Sequence, residues 1–160
     1  MKTVGLGFFW QDIKVGEQYR TVGRTIFEAD LAAFIAVTGM GEVLFNNIEF
    51  INQESAIKGG RPVPGALVYS FAEGLLIQST MQGTGLAFLG CQLDVKLPTF
   101  VGDTIHVELE ITELRPTSKG NRAIVRTMNH VKNQRGESVL IYNPLRMMKG
   151  RAWRENTAVS

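Results

Sequence analysis

The stretch running from Arg61-Pro62-Val63-Pro64-Gly65 through Gln78 constrains this chain more than any other, because it predicts a helix that is apolar around most of its circumference. Leu67, Val68, Phe71, Ala72, Leu75 and Leu76 recur at the helical period, and Ala66 and Ile77 widen the stripe. A proline stands at the first helical position, where a missing N–H costs nothing. A helix with so much apolar surface is buried, and most of the chain beyond it alternates at the period of a strand. The simplest arrangement wraps a sheet around this one helix. At its start, Gly65 offers a bare backbone N–H where the helix dipole is positive.

The rest of the chain supplies that sheet. Residues 18–26 form a first strand. Thr25, with Glu28 three residues on, has the form of a capping box. The helix it opens carries Leu31, Phe34, Ile35 and Val37 at helical spacing and stops at Thr38-Gly39, where glycine suits a left-handed cap. A loop from Met40 to Asn47 leads to a short helix over 48–57. After Gly83, residues 86–97, 104–114, 122–132 and 138–148 each predict a long strand, with turns at Val101-Gly102-Asp103, Ser118-Lys119-Gly120-Asn121 and Asn133-Gln134-Arg135-Gly136. Asn143-Pro144 inside the last strand implies a bulge or an exposed edge. The expected class is α+β, a long curved antiparallel sheet wrapped around one central buried helix.

At 160 residues the chain is long enough for one domain with a real core, expected over 1–150, and the polar stretch 151–160 predicts a frayed tail. A net charge of +2, with Lys and Arg scattered, excludes nucleic-acid or membrane binding driven by charge alone. No run reaches the ~18 apolar residues of a membrane span, and the first ten residues lack the form of a signal peptide. The lone Cys91 cannot close an internal disulfide, fits a reducing cytoplasm, and in a strand predicts core filler.

The segments Asp12-Ile13-Lys14-Val15-Gly16-Glu17, Asp30-Leu31-Ala32-Ala33-Phe34 running to Thr38-Gly39, Glu49-Phe50, Gly60-Arg61-Pro62-Val63-Pro64-Gly65 and Lys96-Leu97-Pro98-Thr99-Phe100-Val101-Gly102-Asp103 occur in an order and spacing that resembles the hotdog fold. Within that fold the chain is similar to the MaoC-like (R)-specific enoyl-CoA hydratases and dehydratases, from Phe9 to about Met148. The resemblance implies a single hotdog domain and edge-to-edge dimers with sites near the subunit interface. It also implies an acyl thioester of CoA or a carrier protein as substrate, with no further cofactor. Members of the family carry an Asp directly after the Thr-Gly pair and a His five residues further on, which hold the water that adds to the enoyl double bond. Here those positions are Met40 and Phe45, with Glu42 where the family has Asn and Val43 where it has Pro. Neither Met nor Phe moves a proton, and each lost acid–base group removes ~10²–10⁴-fold of rate.

Glu42 is then the one ionisable side chain of the loop. It is a replacement acid–base if the apolar neighbours desolvate it, or a solvated loop residue. By resemblance the Gly65 N–H polarises the thioester carbonyl; alternatively, glycine there allows close approach of helix and sheet. Met40 and Phe45 turn the polar end of the family pocket apolar, or fill it. Asn46 is a candidate ligand contact, Ser70 a candidate for the acyl pocket, and Asn47 a helix cap. Lys58, Arg61 and Lys96 are either solvated or placed for phosphates of a CoA arm. His106 and His130 match no family catalytic position, and with a distant Cys they give no metal-ligand spacing.

Three functions fit. The first is a hydratase or dehydratase with altered residues, working as a homodimer. The second is a non-catalytic acyl-thioester-binding subunit, partnering an active dehydratase in a heterodimer. The third is a thioesterase using a central-helix carboxylate such as Glu73, which lies about two and a half turns from Gly65.

Overall fold

The computed structural model describes residue 1 and residues 3–151. The expected tail therefore lies outside the described residues, apart from Arg151. A short 3₁₀ turn, Trp10–Asp12, precedes strands β1 (Gln18–Arg20) and β2 (Arg24–Thr25). Helices α1 (Glu28–Thr38), α2 (Val43–Asn46), α3 (Ile48–Gln53) and α4 (Gly65–Leu76) follow. Strands β3 (Gly85–Gly90), β4 (Leu93–Val95), β5 (Thr104–Pro116), β6 (Arg122–Lys132), β7 (Ser138–Tyr142) and β8 (Leu145–Lys149) complete the chain.

All strands pair antiparallel, in the order β1-β5-β6-β7-β4, with β2 beside β5 and β8 between β6 and β3. β7 and β8 are thus two halves of one strand position, and β4 and β3 two halves of the next. Both positions break at the same level. The Asn143-Pro144 pair interrupts one, because proline donates no ladder hydrogen bond. Across from it, Asn143 Oδ1 accepts the Gln92 N–H at 2.9 Å and the Asn143 N–H donates to Gln92 O at 3.1 Å. The uninterrupted strand expected over 86–97 is therefore two strands, and Cys91 sits exposed in the gap between them rather than in the core.

Other boundaries shift for local reasons. The expected strand over 18–26 splits into β1 and β2. Thr25 caps nothing: its hydroxyl pairs with Thr104 Oγ1 at 2.7 Å, while Asp30 Oδ2 accepts the Phe27 N–H at 2.8 Å and Phe27 becomes the cap residue of α1. Gly39 ends α1 as expected, at φ 73°, with its N–H on Ile35 O. The expected helix over 48–57 ends at Gln53, and Asn47 Oδ1 caps it through the Phe50 N–H at 3.0 Å. Pro64 precedes the first turn of α4 instead of lying in it, so Gly65 is the first helical residue.

The sheet lays its inner face on α4. Ile105, Val107, Leu109 and Ile111 of β5 meet Leu67, Val68, Ala72, Leu75 and Leu76 of the helix in one core cluster. Each large side chain so buried contributes ~1.5–3 kcal/mol. The helix is less enclosed than its composition predicts: Ala66, Ser70 and Ile77 are exposed and Phe71 is half-buried. Beyond Leu76 it relaxes into a π-helical turn, Ile77–Met81.

Candidate active site

Gly65 opens α4 at the rim of an apolar cavity of about 180 Å³. Phe45 and Leu44 of α2 form one wall, Ile57 and Val68 another, and Val95 and Leu97 of the sheet edge a third. Among the described residues no backbone acceptor meets the Gly65 or Ala66 N–H, whereas those of Leu67 and Val68 fold back onto Pro64 O at 3.0 and 3.3 Å. The free Gly65 N–H, at the positive end of a helix, therefore borders an apolar space. That is an arrangement suited to a carbonyl oxygen with a hydrocarbon attached.

The close-approach reading of Gly65 holds as well. A Cβ at this position would come within 2.9 Å of Val95 Cγ2. One residue serves both purposes because both need the backbone bare.

The remaining loop residues point elsewhere. Glu42 caps α2 through its backbone, with no side-chain capping bond, and is exposed. Met40 is 40% exposed. Asn46 donates its side-chain amide to Gly41 O at 3.0 Å, holding the loop closed on itself. Ser70 donates its hydroxyl back to Ala66 O at 2.8 Å and is exposed. Of the six site residues expected from the sequence, Gly65 and Phe45 line the cavity, and Met40, Glu42, Asn46 and Ser70 do not.

A second polar constellation lies under the middle of α4. Arg146 Nη2 sits 2.6 Å from Glu73 Oε1 and 2.7 Å from Oε2, with the side chains 10% and 13% exposed. The Tyr142 hydroxyl and both amide atoms of Asn129 are buried nearby, and among the described residues none makes a bond of hydrogen-bonding geometry. Burial above all, then the Glu73 carboxylate, pushes the Tyr142 phenol far up, and the same causes push Tyr69 up to about 12. Sequence reasoning placed Glu73 on the central helix but missed Arg146. The available signal was a lone cation in the apolar run Leu145-Arg146-Met147-Met148, opposite in sign to the lone carboxylate of an apolar helix.

The histidines lie on the outer face of the sheet. His106 Nε2 is 3.3 Å from Glu108 Oε1, and His130 Nδ1 is 3.4 Å from Ser138 Oγ. Lys132 and His106 together hold Glu108 below the usual carboxylate range. Among the described residues no group of His, Cys, Asp and Glu is arranged to hold a metal ion.

The chain is 36% identical over 107 residues to the (R)-specific enoyl-CoA hydratase of Aeromonas caviae, an alignment covering 66% of this chain and 75% of the hydratase. The crystal structure of the MaoC-like dehydratase of Rhodospirillum rubrum superposes with a TM-score of 0.76 at 27% identity, covering 91% of this chain and 99% of that one. The chain belongs to the MaoC-like hotdog family of (R)-specific enoyl-CoA hydratases and dehydratases. A Mycobacterium tuberculosis protein with a double hotdog fold matches with a TM-score of 0.83, covering 96% of this chain and 47% of its own, and at 19% identity this likeness shows the fold alone. No family model matches the chain. In this MaoC-like protein the loop that precedes the central helix carries Met40, Glu42 and Phe45, and the helix itself opens on Gly65.

Proposed function

We propose that this protein binds acyl thioesters of the enoyl-CoA or 3-hydroxyacyl-CoA type, with the Gly65 N–H on the thioester carbonyl and the acyl chain in the adjoining cavity, and that it acts as a binding subunit rather than a self-sufficient hydratase. The observation that carries this reading is that Gly65 and Phe45 line the same cavity. The carbonyl-binding end of the family site persists, while the group facing it cannot exchange a proton. The cavity lining offers no carboxylate or imidazole.

A second copy, or a related subunit bearing the Asp and His, completes the assembly in this reading. Among the described residues the outermost strand position, β3 with β4, carries an unpaired backbone edge and exposed Phe88, Leu89, Leu93 and Val95. Natural sheets cover such an edge. A cytoplasmic setting accords with the single free thiol. Among the described residues no helix is long and apolar enough to cross a membrane.

A second reading, hydration with Glu42 as acid–base, is favoured by one fact. The backbone carbonyl of Glu42 accepts the Phe45 N–H at 2.9 Å, which ties the main chain of this residue, with its side chain exposed, to a residue that lines the cavity. The two readings separate in one experiment. Purified protein is assayed with crotonyl-CoA and longer trans-2-enoyl-CoAs, alone and with whatever subunit copurifies from the native cell, and its bound small molecules are identified by mass spectrometry. A binding subunit retains an acyl thioester and gives no hydration by itself. Hydration abolished by Glu42→Gln would establish the second reading, and a protein that neither retains nor hydrates thioesters would overturn both.

A further inference from the structure

The cavity at Gly65 has a limited size, and Ile57 is among the residues that line it. Its volume of about 180 Å³ is close to that of the ~150 Å³ apolar cavity that accommodates benzene. An acyl chain of about six carbons is therefore what it can enclose. A second cavity, of about 310 Å³, is lined by Ile48, Ile51 and Asn52 of α3 and by residues 57–61 of the following loop. Ile57 lines both cavities, and no other described residue does.

Ile57 is fixed in that position. The hydroxyl of Ser55, itself 3% exposed, accepts the Ile57 N–H at 3.0 Å and donates to Ile57 O at 3.2 Å. The Ser55 N–H in turn bonds to Phe50 O at 3.0 Å, tying the turn to α3. A buried hydroxyl is thus devoted to the backbone of one loop residue. The β-branched side chain it positions is stiff about χ1, so the partition does not swing aside as a Met or Leu would.

Resting on the reading that the thioester carbonyl sits at Gly65, we propose that Ile57 is the residue that sets acyl-chain length. It limits the protein to short chains of about six carbons and separates them from a distal cavity that a longer chain would enter. Ser55 is the positioning residue for this wall.

The test is calorimetric titration of the full chain with butanoyl-, hexanoyl-, octanoyl- and decanoyl-CoA, which bind without being hydrated. The wild type binds hexanoyl-CoA best and decanoyl-CoA at least about tenfold more weakly, in keeping with the discrimination a wall exerts on one or a few methylenes. Ile57→Ala joins the two cavities and raises decanoyl-CoA affinity by at least about tenfold, with butanoyl-CoA affinity changed by less than about threefold. Ile57→Phe shortens the pocket and moves the optimum to butanoyl-CoA, so the proposal stays testable if the alanine variant does not fold. Ser55→Ala leaves the side chain and loosens its position, flattening the chain-length profile. A profile unchanged in all three variants, or a wild type that prefers decanoyl-CoA, overturns the role of Ile57 alone. Absence of binding by any of the four thioesters to the wild type overturns the thioester reading itself, and the role of Ile57 with it.

Discussion

At Gly65 the lack of a side chain answers a steric demand and a chemical one together, and a pair of substitutions separates them. Gly65→Ala pushes a methyl to within 2.9 Å of Val95 Cγ2. The single variant is expected to lose about 1–3 kcal/mol in urea denaturation and at least about tenfold in acyl-CoA affinity. Adding Val95→Ala removes the clash and leaves the alanine N–H in place, so both losses should be largely recovered. Recovery of stability without recovery of binding would count against the N–H as the carbonyl donor. Tyr19 sets a different limit. Burial first, and its 2.7 Å hydrogen bond to Glu17 second, push its phenol up to about 12, and Tyr69 is raised as far. A folded-state value above the unfolded value of ~10 means that stability is intact below pH ~10 and falls as pH rises toward 12. Thermal melts from pH 8 to 11.5 should show that fall, and Tyr19→Phe should make it shallower. At this scale the sequence was partly legible. Gly65 and Phe45 could be placed because a resemblance fixed their positions relative to the helix. Glu42, Asn46 and Ser70 could not be aimed, because direction on a loop or an exposed helix face is set by local hydrogen bonds that no periodicity encodes.

Among the elements, α4 and β8 are joined by the Glu73–Arg146 pair, which is buried at both ends. Glu73→Ala leaves the buried guanidinium without its counter-charge, and the expected cost is about 3–5 kcal/mol in denaturant titration. Replacing both residues, with Glu73→Leu and Arg146→Met, is expected to cost less than about 1.5 kcal/mol, because no charge is then stranded. A double variant as unstable as the single one would mean that the pair does more than neutralise itself. The central helix was legible because its stripe of Leu67, Val68, Ala72, Leu75 and Leu76 is a local pattern. The halving of the edge strands was not. The break at Cys91-Gln92 is imposed by Asn143-Pro144 of the neighbouring strand, and a partner some fifty residues away leaves no trace in the alternation of residues 86–97. Thr25 misled for a similar reason, since its hydroxyl is taken by Thr104 across the sheet.

On the scale of the whole molecule, the sheet closes over one face of α4 and, among the described residues, leaves the β3–β4 edge unpaired, with Leu89 47% and Leu93 39% exposed. Placing lysines there, as Leu89→Lys with Leu93→Lys, is the device by which natural sheets refuse edge pairing. Gel filtration should show the wild type eluting as a dimer or larger and the double variant as a monomer with unchanged circular dichroism; co-elution of the two would exclude this edge as the interface. The opposite end of the molecule carries a consequence for how the chain folds. The Gly7 and Phe8 backbones bond at 2.8 Å to residues Gln82 and Thr80 at the end of the central helix, Trp10 and Gln11 reach Asn121, and Asp12 and Gln11 hold Arg151. This segment therefore joins parts of the chain that lie up to 140 positions apart, and contacts of such long range wait on the closure of everything between them. Phe8 has a nearer partner in Tyr19, whose ring centroid lies 5.1 Å away, so the segment can rest on β1 before its distant contacts close.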